Sequence, residues 1–541
     1  MIRKFCFVFA VVLSFALAVA GCSARVEMQN RIDKLTEDGP YKAEWKSLQK
    51  HPVPEWFRDA KFGIYTHWGV YSVPAFGNEW YPHWMYINRA HRVRGNYYQF
   101  HKKNFADPLE FGYRNFVPMF KAEKFDADKW AELFEKAGAK FAGPVAEHHD
   151  GFAMWDSALT KWDSKEKGPK RDIVGELEKA IRKRGMKFIT SFHHARKWQY
   201  YEASYKLGEK VDTRDKRFAG IGKIYPPVHE AGQAPTPQYM QEWLGKIVEV
   251  TDKYQPDLLW FDGGLDREQF WRGARQDFQH YKKQMLAYYY NKAHQSPQQV
   301  AVTYKHTDLP RGAGILDIER GRMDKVKDFV WLTDTSVDMK SWCYVKNPQY
   351  KSVNALVDVL VDIVSKNGCM LLNIGPKPDG TIPKDAERLL LGIGQWLKIN
   401  GEAIYGTRPC AKYQQGGTEP GGEKVEEKRE GSYGSSDIRF TKKGNKLYAI
   451  VLGWPGESVL IKSIKSDAYL PGDIKSIRLL GHQGELRWRW ELGGLRIQMP
   501  YSKPCEHAFA VKITTAKKTE HSKIIYKLFL QEVTQWTGEH L

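Results

Sequence analysis

An α/β fold, a (β/α)8-type (TIM-like) barrel followed by a C-terminal β-sandwich, is what the sequence predicts, on three observations. From about residue 126, amphipathic helices alternate with short apolar strands, as in a parallel sheet covered by helices. Several of those strands end in polar clusters, and barrels build their sites on the C-terminal rim of the strands. From about residue 410 the pattern changes to closely spaced short strands, as in a sandwich.

The N-terminus reads as an export signal. Arg3 and Lys4 precede an apolar run from Phe5 to Ala20, and Val19-Ala20-Gly21-Cys22-Ser23 follows. This resembles a bacterial lipobox, which implies cleavage before Cys22 and lipidation of its sulfur. The mature protein is then a lipoprotein anchored to a membrane outside the cytoplasm, in the periplasm or at the cell surface; a plain secretory signal is the alternative. Residues 1–21 are the expected signal peptide and 22–45 a linker.

The barrel is expected over 46–409. In 126–139, Trp130, Leu133, Phe134 and Ala137 share a helical face and Gly138 supplies a stop. The strand KFAGPVAEHHDG follows, then a helix from Asp172 to Gly185 and a strand from Met186 to His194. After a helix from about Thr236 to Tyr254, Leu258, Leu259, Trp260 and Phe261 form an apolar run too short for a helix and rich in sheet formers. It stops at Asp262, before two glycines. That position suits a catalytic carboxylate on a barrel rim, and Asp-Gly is also ordinary turn chemistry. A helix near 276–293 with a strand at 299–304, and a helix near 351–366 with a strand at 369–374, complete the expected pairs. The sandwich is expected over 410–515, from KLYAIVLGW, SVLIKSI, SIRLLG, LRWRW, LRIQM and AFAVKIT, with KKGNK and GHQGE as turns. Residues 516–541 form an extension to which the sequence assigns no role.

With 541 residues, 42% of them hydrophobic, the chain can bury a large core and is expected to hold two or three domains. The formal charge of +19 is spread along the chain. It serves solubility or draws the protein to anionic partners such as sulfated or uronic-acid glycans or lipid headgroups. Nucleic acid is not expected, because no binding motif appears. Of six cysteines, Cys6 belongs to the signal and Cys22 to the lipid. Cys343, Cys369, Cys410 and Cys505 lack zinc-ligand spacing, and the sequence leaves one bridge among them open.

HWG at 67–69, NEWY at 78–81, EHHDGF at 147–152, His193 with His194, and DGG at 262–264 occupy strand ends or adjoining loops, nearly all beside aromatics. A sugar needs both: hydrogen-bonding groups for its hydroxyls and aromatic faces for its C–H groups. Glu147, His148, His149 and Asp150 lie together, but neighbouring strand residues point to opposite faces and no HExxH helix is present, so neither a metal nor a cofactor is expected.

Taken in order, WFRDAKFGIYTHWGVYSVPAFGNEWY, EHHDGFAMWDS, LLWFDGG, NGCMLLNIGPKPDGTIP and INGEAIYGTRP resemble family 29 of the glycoside hydrolases, the α-L-fucosidases, over roughly residues 50–510. The resemblance implies hydrolysis of α-L-fucosyl residues from glycans with retention of configuration. It makes Asp262 the nucleophile and places His67, Glu79, Trp80, His148, His149 and Trp260 around the fucose. Glu319, in GILDIERG, stands where family members carry their acid/base; an ion pair with Arg320 or Arg322 is its alternative use. His193 and His194 replace a tyrosine-rich segment and are taken as sugar contacts. TYKHTD replaces an NDR-like segment, with Lys305 as the substitute for the arginine, and Trp342 is an aromatic wall. A non-catalytic glycan-binding lipoprotein on the same scaffold is the competing expectation. A fucosylated glycan, sulfated or otherwise anionic, is the expected partner.

Overall fold

The computed structural model describes residues 26–90, 95–263, 275–417, 424–426, 433–464 and 473–516. The signal peptide, Cys22, Gly264 and all but the first residue of the C-terminal extension lie outside them. No helix among the described residues is long and apolar enough to cross a membrane.

Eight parallel strands close a barrel. They are β1 (Phe62–Thr66), β2 (Phe141–Glu147), β3 (Lys187–Phe192), β4 (Leu258–Phe261), β5 (Ala301–Lys305), β6 (Ile315–Asp317), β8 (Trp331–Ser336) and β9 (Gly368–Ile374), with β9 pairing back onto β1. The short β7 (Gly321–Met323) lies outside the barrel and pairs with β11 (Lys424–Glu426). Helices Ala127–Lys136, Ile173–Lys183, Pro237–Tyr254 and Val353–Ser365 cover the barrel. Their starts are fixed by side chains of Asp126, Asp172, Thr236 and Ser352, each accepting from a backbone N–H three residues on. The helical ring is incomplete: among the described residues no helix connects β5 to β6 or β6 to β8. Pro310, Gly312 and Gly314 fill the first connection with residues that break helices.

Each strand alternates between two cores. Tyr65, Phe141, Val145, Ile189, Leu258, Trp260, Ala301, Ile315, Leu332 and Leu371 fill the barrel interior. Their neighbours Ile64, Ala142, Phe188, Leu259, Phe261, Val302 and Leu372 pack under the helices.

The C-terminal unit is a two-sheet sandwich. One sheet runs β10 (Arg408–Gln415), β12 (Ile438–Lys443), β13 (Lys446–Val451), β18 (Phe509–Thr515) and β15 (Ile474–Leu479); the other runs β14 (Ser458–Ile461), β17 (Gly494–Gln498) and β16 (Trp488–Glu491). Phe440, Val451, Ile461, Leu495, Ile497 and Val511 join the two sheets in one core. The outer face of the larger sheet, with Tyr448, Ile450 and Ala510, packs on the barrel, and the Trp396 indole N–H donates to the Ala508 carbonyl (2.8 Å).

One feature differs from expectation: the segment taken as a linker carries a helix over 26–38 whose Ile32 is buried against the barrel. The four described cysteines, for which the sequence left one bridge open, are free thiols.

Candidate active site

Strand parity delivers the site. Continuing the inward series, β1 leads to His67, β3 to His193, β4 to Asp262, β5 to Lys305, β6 to Asp317 and β8 to Asp334. Beyond the apolar barrel core these side chains meet at the C-terminal rim. A small cavity of about 60 Å³ opens there, lined by His67, Glu79, Trp80, His148, His149, His193, Arg196, Trp260, Asp262, Lys305, Glu319, Asp334 and Trp342.

β2 breaks the series by one residue. Its pairing with β3 shifts between Val145 and Glu147, an irregularity that reverses the facing. Glu147 therefore points outward, where the buried Lys246 ammonium donates to it (2.8 Å), and His148 and His149 both reach the cavity. Asp150 is likewise outside it, accepting from the Tyr113 hydroxyl (2.6 Å), and burial pushes its carboxyl up to about 7.

His194 corrects the expectation of a sugar contact. It has the parity of Phe192 and turns under the helix Pro237–Tyr254, stacked on Trp243 (5.8 Å) and bonded to its carbonyl (3.3 Å). His193, one residue earlier, faces the cavity.

Asp262 is held by both of its oxygens. The Gly263 N–H donates to Oδ1 (2.8 Å), while His149 Nε2 (3.4 Å), His193 Nδ1 (3.5 Å) and Arg196 Nε (3.9 Å) surround Oδ2. Burial alone would raise this carboxyl; the Arg196 guanidinium, with His193, holds it well below the usual carboxylate range. Asp262 is thus ionised. Arg196 itself is fixed by donation to the Gly263 carbonyl (2.6 Å). His149 donates through Nδ1 to the His193 carbonyl (2.6 Å) and is kept neutral by burial, so its Nε2 lone pair can accept from a hydroxyl in the cavity.

Glu319 follows β6, two strands round the barrel from Asp262 at the end of β4, and its side chain is 46% exposed, against 13% for Asp262. Its ion partner is Lys305 (3.4 Å), whose ammonium also donates to Asp334 (2.8 Å) and meets Asp317 (3.3 Å). Burial would lower Lys305, but Asp334, Glu319 and Asp317 hold it well above its usual value. Arg322 goes to Asp362 (3.3 Å), and Arg320 to the carbonyls of Asp338, Met339 and Ser341. Arg320 also lies over the Trp342 ring (4.3 Å), tying the Glu319 turn to that aromatic wall. The Trp342 N–H donates to Glu79 (3.1 Å), which joins the Trp342 and Trp80 loops. Trp260 lies beneath Lys305 (5.0 Å).

Arg196 and Asp334 are cavity residues that the sequence reading did not select. Asp334 lies on WLTDTS, a run too polar to read as a buried strand, and Arg196 sits in a helical turn after β3, where parity no longer applies.

Two family profiles match the chain: Alpha-L-fucosidase over residues 28–402 and Alpha-L-fucosidase C-terminal domain over residues 433–514. The tissue alpha-L-fucosidase of Rattus norvegicus is 33% identical over 488 residues, 88% of this chain and 92% of its own. That of Homo sapiens is 31% identical over 493 residues, with the same coverages. A crystal structure of the Thermotoga maritima alpha-fucosidase in complex with fucose aligns with a TM-score of 0.67 at 30% identity, covering 88% of this chain and all of that one. With both profiles matched in order and a barrel and sandwich of the same architecture, the chain belongs to the alpha-L-fucosidase family of glycoside hydrolases.

Proposed function

We propose that the protein is an exported, lipid-anchored α-L-fucosidase that removes terminal α-L-fucosyl residues from glycans by double displacement. The observation that carries this reading is that Asp262, ringed by His149, His193 and Arg196, shares one cavity with the more exposed Glu319. Asp262 attacks the anomeric carbon while Glu319 gives its proton to the glycosidic oxygen. The glycan leaves, and a β-linked fucosyl ester of Asp262 remains. Glu319 is now a carboxylate 3.4 Å from the Lys305 ammonium, which stabilises the charge. Glu319 then deprotonates a water that attacks the same carbon from the face the glycan left, releasing fucose with its configuration retained and Asp262 as carboxylate.

His67, Glu79, His148, His149 and His193 bind the sugar hydroxyls, while Trp80, Trp260 and Trp342 pack on its C–H faces. Export rests on the N-terminal signal and Cys22, and the positive charge suits fucose carried on a sulfated or otherwise anionic glycan.

The test is hydrolysis of an aryl α-L-fucoside by wild type, Asp262→Ala and Glu319→Ala, with azide added. Turnover lost in Asp262→Ala and rescued as β-fucosyl azide, with α-fucosyl azide from Glu319→Ala, is the expected result. An inverted product from wild type would overturn the double displacement. Fucose binding without turnover of either aryl or glycan fucosides would leave a glycan-binding protein instead.

A further inference from the structure

We propose that His67, His148 and His193 form a site for a divalent transition-metal cation (Zn²⁺, Ni²⁺ or Cu²⁺) inside the cavity, and that the bound cation excludes the sugar. One ring nitrogen from each lies within 4.8 Å of the others. Their ring centroids are 5.5 Å (His67 to His148), 4.9 Å (His67 to His193) and 4.6 Å (His148 to His193) apart. Two imidazoles on a tetrahedral zinc, with Zn–N near 2.0–2.1 Å, have centroids about 5 Å apart, so the rings need only small adjustments to converge on one ion.

The surroundings match what metal-binding histidines require. The three residues are 2%, 2% and 4% exposed, so their rings are held by packing. His67 donates through Nδ1 to Asn373 Oδ1 (2.8 Å), and that amide is oriented by its own donation to the Trp342 carbonyl (2.6 Å). His193 turns Nδ1 toward the Asp262 carboxylate (3.5 Å). An amide or carboxylate on the far nitrogen is the usual outer partner of a ligating imidazole: it fixes the ring and strengthens the other nitrogen as a donor. His148 Nδ1 and His193 Nε2 are buried and have no hydrogen-bond partner. An all-imidazole set suits zinc, nickel and copper, and three ligands leave a fourth position for water.

A second set, His149, His193 and Asp262, has the same spacing. It would take the Asp262 carboxylate, already engaged by Arg196, so the three-imidazole set is the better ligand group. Exclusion of the sugar rests on the proposed function, because it uses the nitrogens assigned there to the hydroxyls; metal binding itself does not.

Titrating the purified chain with Co²⁺ tests the site. The expected result is one equivalent bound, with the intense visible bands of tetrahedral Co²⁺, displaced by Zn²⁺ and suppressed by saturating L-fucose. The bands vanish in His148→Phe and His193→Phe, with urea denaturation establishing that each variant is folded; if one is not, His67→Phe serves in its place. Zn²⁺ at about 100 times its Kd fills about 99% of sites, and hydrolysis at low substrate falls about 100-fold, reversibly with EDTA. Absence of Co²⁺ binding, or bands that survive these substitutions in folded protein, would overturn the site. Bands lost in Asp262→Asn but kept in His148→Phe would move the metal to the second set and overturn this one. Binding without inhibition by saturating Zn²⁺ would overturn the exclusion. Binding by a protein that hydrolyses no fucoside would refute the enzymatic reading and leave the metal site standing.

Discussion

Replacing Arg196 with glutamine isolates what keeps Asp262 ionised. The guanidinium Nε stands 3.9 Å from Asp262 Oδ2, with the two side chains 17% and 13% exposed. At an effective dielectric of about 20, unit charges at that separation interact by about 4 kcal/mol. Residual solvent screening and the remaining His193 contact reduce this, and an opposite charge at such range typically lowers a carboxyl by about 1–3. Attack requires the carboxylate, so raising the Asp262 pKa moves the loss of activity to higher pH. The acid limb of kcat/KM for an aryl α-L-fucoside is expected to move up by about 1–3 pH in Arg196→Gln. Because Arg196 also lines the cavity, the absolute rate is not the readout; the position of the limb is. A limb that stays within about 0.5 pH of wild type would refute the assignment of Arg196 as the main charge holding Asp262 down.

Three other outcomes follow from the geometry. His194→Gln is expected to lower stability by about 1–3 kcal/mol through the disturbed bond to Trp243 while KM for the aryl fucoside stays put; a tenfold rise in KM with an unmoved urea midpoint would return His194 to the sugar site. Asp362 is fully buried among Lys366 (2.8 Å), Arg439 (2.6 Å) and Arg322 (3.3 Å), joining a barrel helix to the sandwich. Burial would raise its carboxyl, but those three cations hold it well below the usual range, so its contribution is complete above the unfolded carboxyl pKa and is lost as pH falls through the folded one. Asp362→Asn should cost about 3–5 kcal/mol in urea denaturation at pH 7, with the gap to wild type narrowing below about pH 4; a gap independent of pH would contradict this. If the positive surface selects anionic glycans, kcat/KM on a sulfated fucoside should fall between about 0.01 and 0.1 M salt, as the Debye length shrinks from about 30 to 10 Å, while a neutral fucoside is unaffected; equal salt dependence would remove the anionic substrate.

The barrel is legible where its strands are apolar. β4 and β9 read as buried runs bounded by turns, and capping residues such as Asp126 and Asp172 mark the helices between. β6 is three residues long, too short to show a period. β8, WLTDTS, looks like a polar loop, yet Asp334 is buried on it because Lys305 and the Tyr65 hydroxyl (3.0 Å) on other strands satisfy it. That compensation exists only after the barrel closes. The same holds for β12, whose Arg439 is buried by its pairing with Asp362.

The site divides along the same line. Parity, counted from Ile189 through Ser191, separates His193 from His194 without any structure, and applied to β1, β4 and β5 it brings His67, Asp262 and Lys305 to one face. Applied to β2 it fails, because one irregular pairing between Val145 and Glu147 sends the glutamate outward and both histidines inward. A strand cannot reveal that irregularity alone: it is a relation to β3. Regular alternation through EHHD, one of two grounds against a metal beside the lack of an HExxH helix, is lost at that irregularity. The imidazoles brought together by the shift come from three separate strand ends, so their spacing is a property of the closed barrel and not of any motif.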